Sequence, residues 1–307
     1  EVSTIDKNDD DYVIKAGDET LNAKVVLNAS GIGAAEICRM LIDEPIFEVT
    51  PRRGEYYVIS NDEHIVNNVI FPVPTAKGKG VLAIPTVYGN TLIGPNSEQL
   101  VDNISTATSV DGASYLREHI TKIIKTVPLH KSIRTFAGLR PTTNSKDFII
   151  EPLGVEHPNF INIASIESPG LASAPGIADY VIENFVAGRL YLKENPDAVM
   201  TREKPIMVSE LSEGERDKLV RENPQYANIV CRCETISEGE IVAAIHEVCG
   251  ARSVKGIKKR VRPGMGKCQG GFCEPKVVEI LARELKCSPI DIVQDGQHSQ
   301  ILEKENR

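Results

Sequence analysis

The residues best equipped for chemistry are four cysteines near the C-terminus, Cys231-x-Cys233 and Cys268-x-x-x-x-Cys273, with 34 residues between the two pairs. Six of the seven cysteines lie beyond Val230. An odd total, a Cys-x-Cys step poorly suited to a local disulfide, and the lack of an export signal all argue against a disulfide framework. Thiolates in two close pairs suit zinc or an iron–sulfur cluster, both of which stabilise deprotonated sulfur. Structural zinc favours Cys-x-x-Cys knuckles, and neither pair here has that spacer, so an iron–sulfur site is the leading expectation, with a zinc scaffold and an unmetallated core or redox pair as the alternatives. Gly264, Gly266, Gly270 and Gly271 surround the second pair and offer backbone N–H groups to the sulfurs. Cys38, Cys249 and Cys287 have no close partner in sequence and read as ordinary thiols.

Seven basic residues (Arg252, Lys255, Lys258, Lys259, Arg260, Arg262 and Lys267) occur from Arg252 through Phe272 without an acidic one. They form either a solvated helix face or a surface that offsets cluster charge and docks an acidic redox partner over 252–267. Elsewhere, Arg53, Arg134 and Arg140 are candidates to hold a carboxylate or phosphate, since guanidinium pairs such anions bidentately. Tyr56 and Tyr57 are candidate pocket residues, although strand alternation turns only one of them inward. No histidine sits in a motif that marks it as a base, and no catalytic base is assigned. Gly31-Ile32-Gly33-Ala34-Ala35-Glu36 imitates a dinucleotide fingerprint, but Glu36 stands where a small residue is needed for close helix–strand packing.

The elements that would position these residues form two different kinds of structure. The first 190 or so residues read as α+β, a mainly antiparallel sheet with flanking helices. Strands are expected over Val2–Asp6, Asp11–Lys15, Ala23–Asn28, Tyr56–Ser60, Asn68–Val73, Val81–Pro85 and Thr91–Ile93, with a turn at Lys77-Gly78-Lys79-Gly80. Further strands are expected over Ser132–Ala137, Asp147–Glu151 and Phe160–Ala164. Helices are expected over Gly33–Leu41, from an Asp111 cap to Val127, and over Ala174–Val186 with Pro175 in the first turn. Residues 191–228 are charged and contain prolines, which reads as a linker with one short helix. Residues 229–296 read as a small all-α domain whose first helix opens on the capping box Ser237-x-x-Glu240. Residues 297–307 form a tail.

The chain has 307 residues and a formal net charge of −8, with 41% hydrophobic and 25% charged residues. These values describe a folded chain of about two domains and argue against a nucleic-acid or anionic-membrane coat. No apolar run is long enough to span a bilayer, and no leader is evident, so a cytoplasmic location is expected. Glu1 falls inside a strand-like run, which implies a start in the middle of a longer protein.

Residues 230–290, carrying Cys231-Arg232-Cys233-Glu234-Thr235 and Gly264-Met265-Gly266-Lys267-Cys268-Gln269-Gly270-Gly271-Phe272-Cys273, resemble the bacterioferritin-associated-ferredoxin-type [2Fe-2S] domain. The resemblance implies that Cys231, Cys233, Cys268 and Cys273 ligate one [2Fe-2S] cluster. Residues 1–190 resemble the FAD-dependent oxidoreductases of the D-amino-acid oxidase superfamily. Five segments carry the likeness in order: Val26-Leu27-Asn28-Ala29-Ser30-Gly31, Arg53-Gly54-Glu55-Tyr56-Tyr57, Leu92-Ile93-Gly94-Pro95-Asn96, Ala137-Gly138-Leu139-Arg140-Pro141 and Ile166-Glu167-Ser168-Pro169-Gly170-Leu171-Ala172-Ser173-Ala174-Pro175. By that likeness Ser30, Gly31, Pro169, Gly170, Leu171 and Ala172 face FAD, while Arg140, with Arg53 and Tyr56, faces a small anionic hydroxylated substrate. The family's FAD-binding βαβ unit is lacking, so the chain reads as the C-terminal part of a flavoenzyme that holds half a flavin site and will not retain FAD. Fusion of the two domains is similar to the anaerobic glycerol-3-phosphate dehydrogenases, while Arg53–Tyr57 and Gly94–Asn96 look like L-2-hydroxyglutarate oxidases. The implied function is oxidation of a CH–OH donor through FAD with electrons passed to the cluster. A non-catalytic electron-transfer or docking module is the alternative from another class.

Overall fold

The computed structural model describes residues 1–74, 80–100, 105–145 and 147–304. Lys77, Gly78 and Lys79 of the expected glycine–lysine turn lie outside the described residues. The chain divides into two compact units, Glu1–Val58 with His64–Leu129 and Thr135–Ala198, and Ile59–Glu63 with His130–Arg134 and Val199–Arg307.

In the first unit β1 (Val2–Asn8), β2 (Asp11–Ala16) and β3 (Glu19–Ala23) form an antiparallel meander, with Ile5 opposite Ile14 and Tyr12 opposite Ala23. Alternation buries Ile5 and Tyr12. The run expected as one strand over Ala23–Asn28 breaks at a bend over Lys24-Val25, and β4 (Val26–Asn28) leaves for another sheet. A 3-10 turn over Gly31–Gly33 leads into α1 (Ala34–Arg39), which buries Ala34, Ala35 and Cys38.

The largest sheet is built on β5 (Val49–Ile59), with β6 (Leu82–Pro85), β7 (Thr91–Gly94) and β8 (Glu98–Gln99) in the order β6-β7-β5-β8. No strand forms at Asn68–Val73, where Ile70 makes one bridge to Ala83; Pro72 and Pro74 remove ladder donors from that segment. α2 (Val110–Ile120) is capped by Ser109, whose side chain accepts from the Gly112 N–H, so the cap is two residues before the expected Asp111. It also stops at Ile120, short of Val127, where β-branched Thr121, Ile123, Ile124 and Thr126 make helix less favourable. β9 (Ser132–Thr143) pairs with β5.

β10 (Ile149–Leu153) and β11 (His157–Ala164) form an antiparallel pair, and β4 joins β11 in parallel, with Ile161 opposite Leu27 and Asn162 opposite Asn28. The pairs β1–β2, β2–β3, β5–β8, β6–β7 and β10–β11 are antiparallel, and β4–β11 is parallel. α3 (Gly170–Val181) starts four residues earlier than expected, which places Pro175 inside the helix and not in its first turn; a π-helical turn over Ile182–Val186 follows. Ile5, Tyr12, Ala34, Ala35, Cys38, Phe47, Leu153, Phe160 and Ala164 form this unit's core.

In the second unit α4 (Glu213–Glu222) is opened by a capping box of Ser212 and Glu215. β12 (Ile229–Cys231) pairs with β13 (Ile236–Ser237), a short two-stranded addition to a region expected to be wholly helical. α5 (Glu238–His246), α6 (Val254–Val261) and α7 (Glu274–Leu285) pack through Ile241, Ala244, Ile245, Ile257, Val277, Ile280 and Leu281. No helix among the described residues is long and apolar enough to cross a membrane.

Candidate functional site

The four cysteines that lie far apart in sequence meet at one end of the helical unit. β12 delivers Cys231, which is buried; the turn after it presents Cys233 at the surface; and Cys273, also buried, stands immediately before α7. Cys268 lies between them in exposure. The sulfurs stand as two hydrogen-bonded pairs, Cys233 with Cys268 at 3.6 Å and Cys231 with Cys273.

The hydrogen bond from the Cys273 thiol, joined by the N–H groups of Gly264, Glu234 and Cys233, holds the Cys231 thiol down at about 6 despite its burial. Cys273 is pushed up in return, first by that hydrogen bond and then by burial. Burial works upward on Cys268, but the N–H groups of Gly270 and Phe272 and the Cys233 thiol outweigh it, so its net shift is downward. Amide donors aimed at sulfur are the groups that stabilise thiolate ligands and tune a cluster's potential.

The glycines of the second loop have a steric reason as well. A Cβ on Gly266 would overlap the Cys233 Cβ, so the two cysteine loops touch where that side chain is missing. Gln269 braces the same loop by donating to the Met265 and Gly266 carbonyls, each at 3.0 Å. Among the described residues no three His, Cys, Asp or Glu side chains converge on a single ion position. Four sulfurs in two pairs, fed by backbone N–H groups, fit a two-iron cluster. Cys38 lies in the first unit's core, Cys249 is exposed, and Cys287 packs at the edge of the second unit's core.

The basic segment is largely engaged within the fold. Arg252 donates to the Ile245 and Ala251 carbonyls, and Arg260 to those of Gly256 and Cys249. Lys255 pairs with Asp295, Lys267 with Asp62, and Arg262 with Glu234. Lys258 is half-buried, which lowers its pKa. Most of the basic residues of 252–267 thus have partners within the fold, although Arg252, Lys259, Arg260 and Lys267 remain exposed.

In the first unit the parallel pair β4 and β11 brings two loops to the same end of the sheet, the position where α/β folds hold ligands. After β4, Ser30 donates to Asn28 Oδ1 at 2.6 Å, and Asn28 Nδ2 donates to the Ala34 carbonyl at 2.9 Å and to Asn162 Oδ1 at 3.0 Å. Gly31 has φ +62° and open space where a side chain would stand, so its backbone is approachable. After β11, Pro169 precedes α3, Gly170 packs on Ile166, and Leu171 is 94% exposed. Between the loops runs an apolar groove of about 430 Å³, lined among others by Ala29, Gly31, Pro141 and the Ala174, Ile177, Ala178, Val181 face of α3. Gly31 therefore shares one groove with α3. These residues suit one side of a flavin, while no second glycine fingerprint supplies the diphosphate side.

The substrate candidates separate by strand alternation. Arg53 and Glu55 face one way from β5, where Arg53 is bound to Glu98 at 2.7 Å and to the Ala107 carbonyl at 2.8 Å, with Glu55 3.6 Å away. Glu55 accepts in turn from the Ser109 N–H and hydroxyl, each at 2.8 Å, anchoring the start of α2. Arg53 is thus a buried ion-pair residue whose two Nη atoms are engaged by Glu98 and the Ala107 carbonyl, while its Nε makes no hydrogen bond. On the other face Arg140 lies over Gly54, whose Cβ would overlap its guanidinium, and reaches the Asn96 carbonyl at 3.4 Å. Tyr56 stacks on Phe136 with ring centroids 5.0 Å apart. Tyr57 is half-buried, and Arg134 is exposed on β9. Gly54 as the cradle of Arg140 escaped the sequence reading, although its place between Arg53 and Glu55 in the quoted motif was a usable signal.

Residues 1–184 match the sequence profile of the family described as FAD dependent oxidoreductase, and residues 229–283 that of the BFD-like [2Fe-2S] binding domain. A glycerol 3-phosphate dehydrogenase of Caloramator mitchellensis is 46% identical over 305 residues, covering 98% of this chain and 63% of that protein. A glycerol 3-phosphate oxidase of Mycoplasma genitalium is 32% identical, covering 57% of this chain and 47% of its own. Among solved structures, the dithionite-reduced L-alpha-glycerophosphate oxidase of Mycoplasma pneumoniae with FAD bound superposes with a TM-score of 0.57 at 29% identity, covering 64% of this chain and 52% of that one. The chain thus spans less than two thirds of the length of these relatives. With 184 of its 307 residues matched, the chain belongs to the FAD-dependent oxidoreductases, and a BFD-like [2Fe-2S] domain follows in the same polypeptide.

Proposed function

We propose that this chain is the C-terminal part of a flavin-dependent dehydrogenase that oxidises glycerol 3-phosphate and sends the electrons out through a [2Fe-2S] cluster. One observation carries the reading. A four-cysteine site and an FAD-oxidoreductase unit occupy one chain that is 46% identical, over 98% of its length, to a protein called glycerol 3-phosphate dehydrogenase.

Bound FAD would accept a hydride from the carbinol carbon, and the cluster would carry single electrons onward. Arg140 would hold the substrate's anionic group, because the missing side chain at Gly54 leaves room for its guanidinium against β5. Tyr56, fixed by its stack on Phe136, would wall that pocket. Ser30 and Gly31 would lie against the cofactor. Pro169, Gly170, Leu171 and Ala172 would present the start of α3, where the Gly170 N–H is taken by the Glu167 carbonyl and the N–H groups of Leu171 and Ala172, with the helix dipole, favour negative charge nearby. Cys231, Cys233, Cys268 and Cys273 would ligate the irons. The small C-terminal unit is in essence helical, and its thiolates suit a reducing, cytoplasmic setting.

The FAD-binding βαβ unit would belong to a preceding part of the polypeptide and cover the groove beside α3. The test is dye reduction by the longer parent protein with glycerol 3-phosphate or 2-hydroxyglutarate as donor. Glycerol 3-phosphate should be the preferred donor. A preference for 2-hydroxyglutarate would move the enzyme to the 2-hydroxy acids, and turnover of neither by a flavin-loaded parent would leave an electron-transfer module.

A further inference from the structure

Beside the four sulfurs lies an ion pair that ligation itself does not require. Glu234 directly follows Cys233, and Arg262 ends α6 six residues before Cys268. Arg262 Nε and Nη2 both donate to Glu234 Oε2, at 2.9 and 2.8 Å, and the two side chains are only 16% and 13% exposed. The other carboxylate oxygen lies against Gly266, 3.0 Å from where a Cβ would stand. One carboxylate is thus enclosed between the end of α6 and the loop that carries Cys268. Arg262 takes a left-handed conformation, φ 71°, at a helix end that glycine or asparagine would occupy with less strain, so the side chain itself gives a reason for arginine there.

We propose that Glu234 and Arg262 are positioning residues that clamp the two cysteine loops at cluster spacing and balance the charge beside the cluster. Glu234 without Arg262 would add an uncompensated negative charge to a site of four thiolates. Arg262 without Glu234 would leave a cation there and free the loops from one another. A half-broken buried pair is worse than none, because the remaining charge stays desolvated. The inference rests on the cluster reading of the cysteines.

The 307-residue chain and its Arg262→Gln, Glu234→Gln and Arg262→Lys variants would be purified anaerobically for iron and sulfide analysis. Iron release to a ferrous chelator and the midpoint potential of the cluster would then be measured. Both glutamine variants should release iron on the order of 10-fold faster, as loss of a supporting contact around a metal site does. Their potentials should move in opposite directions, down for Arg262→Gln and up for Glu234→Gln, which a purely structural contact would not produce. Arg262→Lys keeps the charge but loses the planar fork, so it should hold the potential while releasing iron faster. Release at the wild-type rate in the variants that fold, or potentials shifting in the same direction, would overturn the clamp. Should Arg262→Gln not fold, Glu234→Gln and Arg262→Lys carry the same test. A wild-type chain without iron after reconstitution would instead sink the cluster reading.

Discussion

Cys231 and Cys273 are the buried half of the quartet, while Cys233 is exposed and Cys268 partly so; loss of a buried thiol therefore removes both a proposed ligand and the partner that holds its neighbour. Cys231→Ser should abolish the visible absorbance of the reconstituted chain and leave little bound iron. Cys249→Ser, at an exposed thiol away from the quartet, should retain wild-type iron and sulfide; equal loss in both would remove the quartet from the ligand set. Cys38 makes a different prediction in the first unit. Burial raises its thiol from 9.0 to about 11, against opposing hydrogen bonds with Asn28 and Asn162. A thiol raised in the folded state favours folding fully below the unfolded value and loses that contribution as pH climbs through the folded one. The first unit should therefore weaken as pH rises from about 9 to about 11, by on the order of 2 kcal/mol from this group. Denaturant midpoints over that range should fall more for wild type than for Cys38→Ala, and parallel falls would refute the assignment.

At the scale of the element, the capping box of α5 couples helix stability to the cluster site. Ser237 both accepts from the Glu240 N–H at 3.3 Å and donates to its carboxylate at 2.6 Å, and both residues are buried. β13 pairs Ile236 with Cys231, so the cap and a candidate ligand share one short ladder. Ser237→Ala should cost about 1–2 kcal/mol and lower iron retention, because a buried carboxylate loses a partner. Ser212→Ala removes the same motif from exposed α4 and should leave iron retention unchanged. Chemical denaturation followed by absorbance would separate the two. The Ser237 cap was legible in the sequence because Ser-x-x-Glu is a local signal, and Ser212-x-x-Glu215 carries the same signal but was not read. Also legible were the cysteine spacing, the strands that became β1 and β2, and the start of α5. The end of α2 was not, since an apolar period continued to Val127 while β-branched residues opposed the helix. The parallel pairing of β4 with β11 joins residues more than 130 positions apart, which no local pattern announces. The resemblance put Arg140 ahead of Arg53, but that Arg53 pairs with Glu98 and stands beside Glu55 depends on strand pairing and alternation that no local pattern shows.

At the scale of the whole molecule, the two units should differ in what they hold. All four proposed cluster ligands and the amide donors beside them come from a single contiguous stretch, Cys231–Cys273, inside one unit with its own core. The flavin side offers an approachable turn at Gly31, the start of α3 and an apolar groove, without a glycine-rich turn for the diphosphate. An anionic cofactor held on one face keeps its charge in water and gains little from the groove. The 307-residue chain should therefore purify with iron and sulfide but without flavin. Acid precipitation followed by fluorescence of the released flavin separates the two cofactors, whose visible bands overlap. Stoichiometric FAD released from the 307-residue chain would mean that residues on this half alone bind the cofactor, and would place its diphosphate contacts among Ser30, Gly31 and the start of α3.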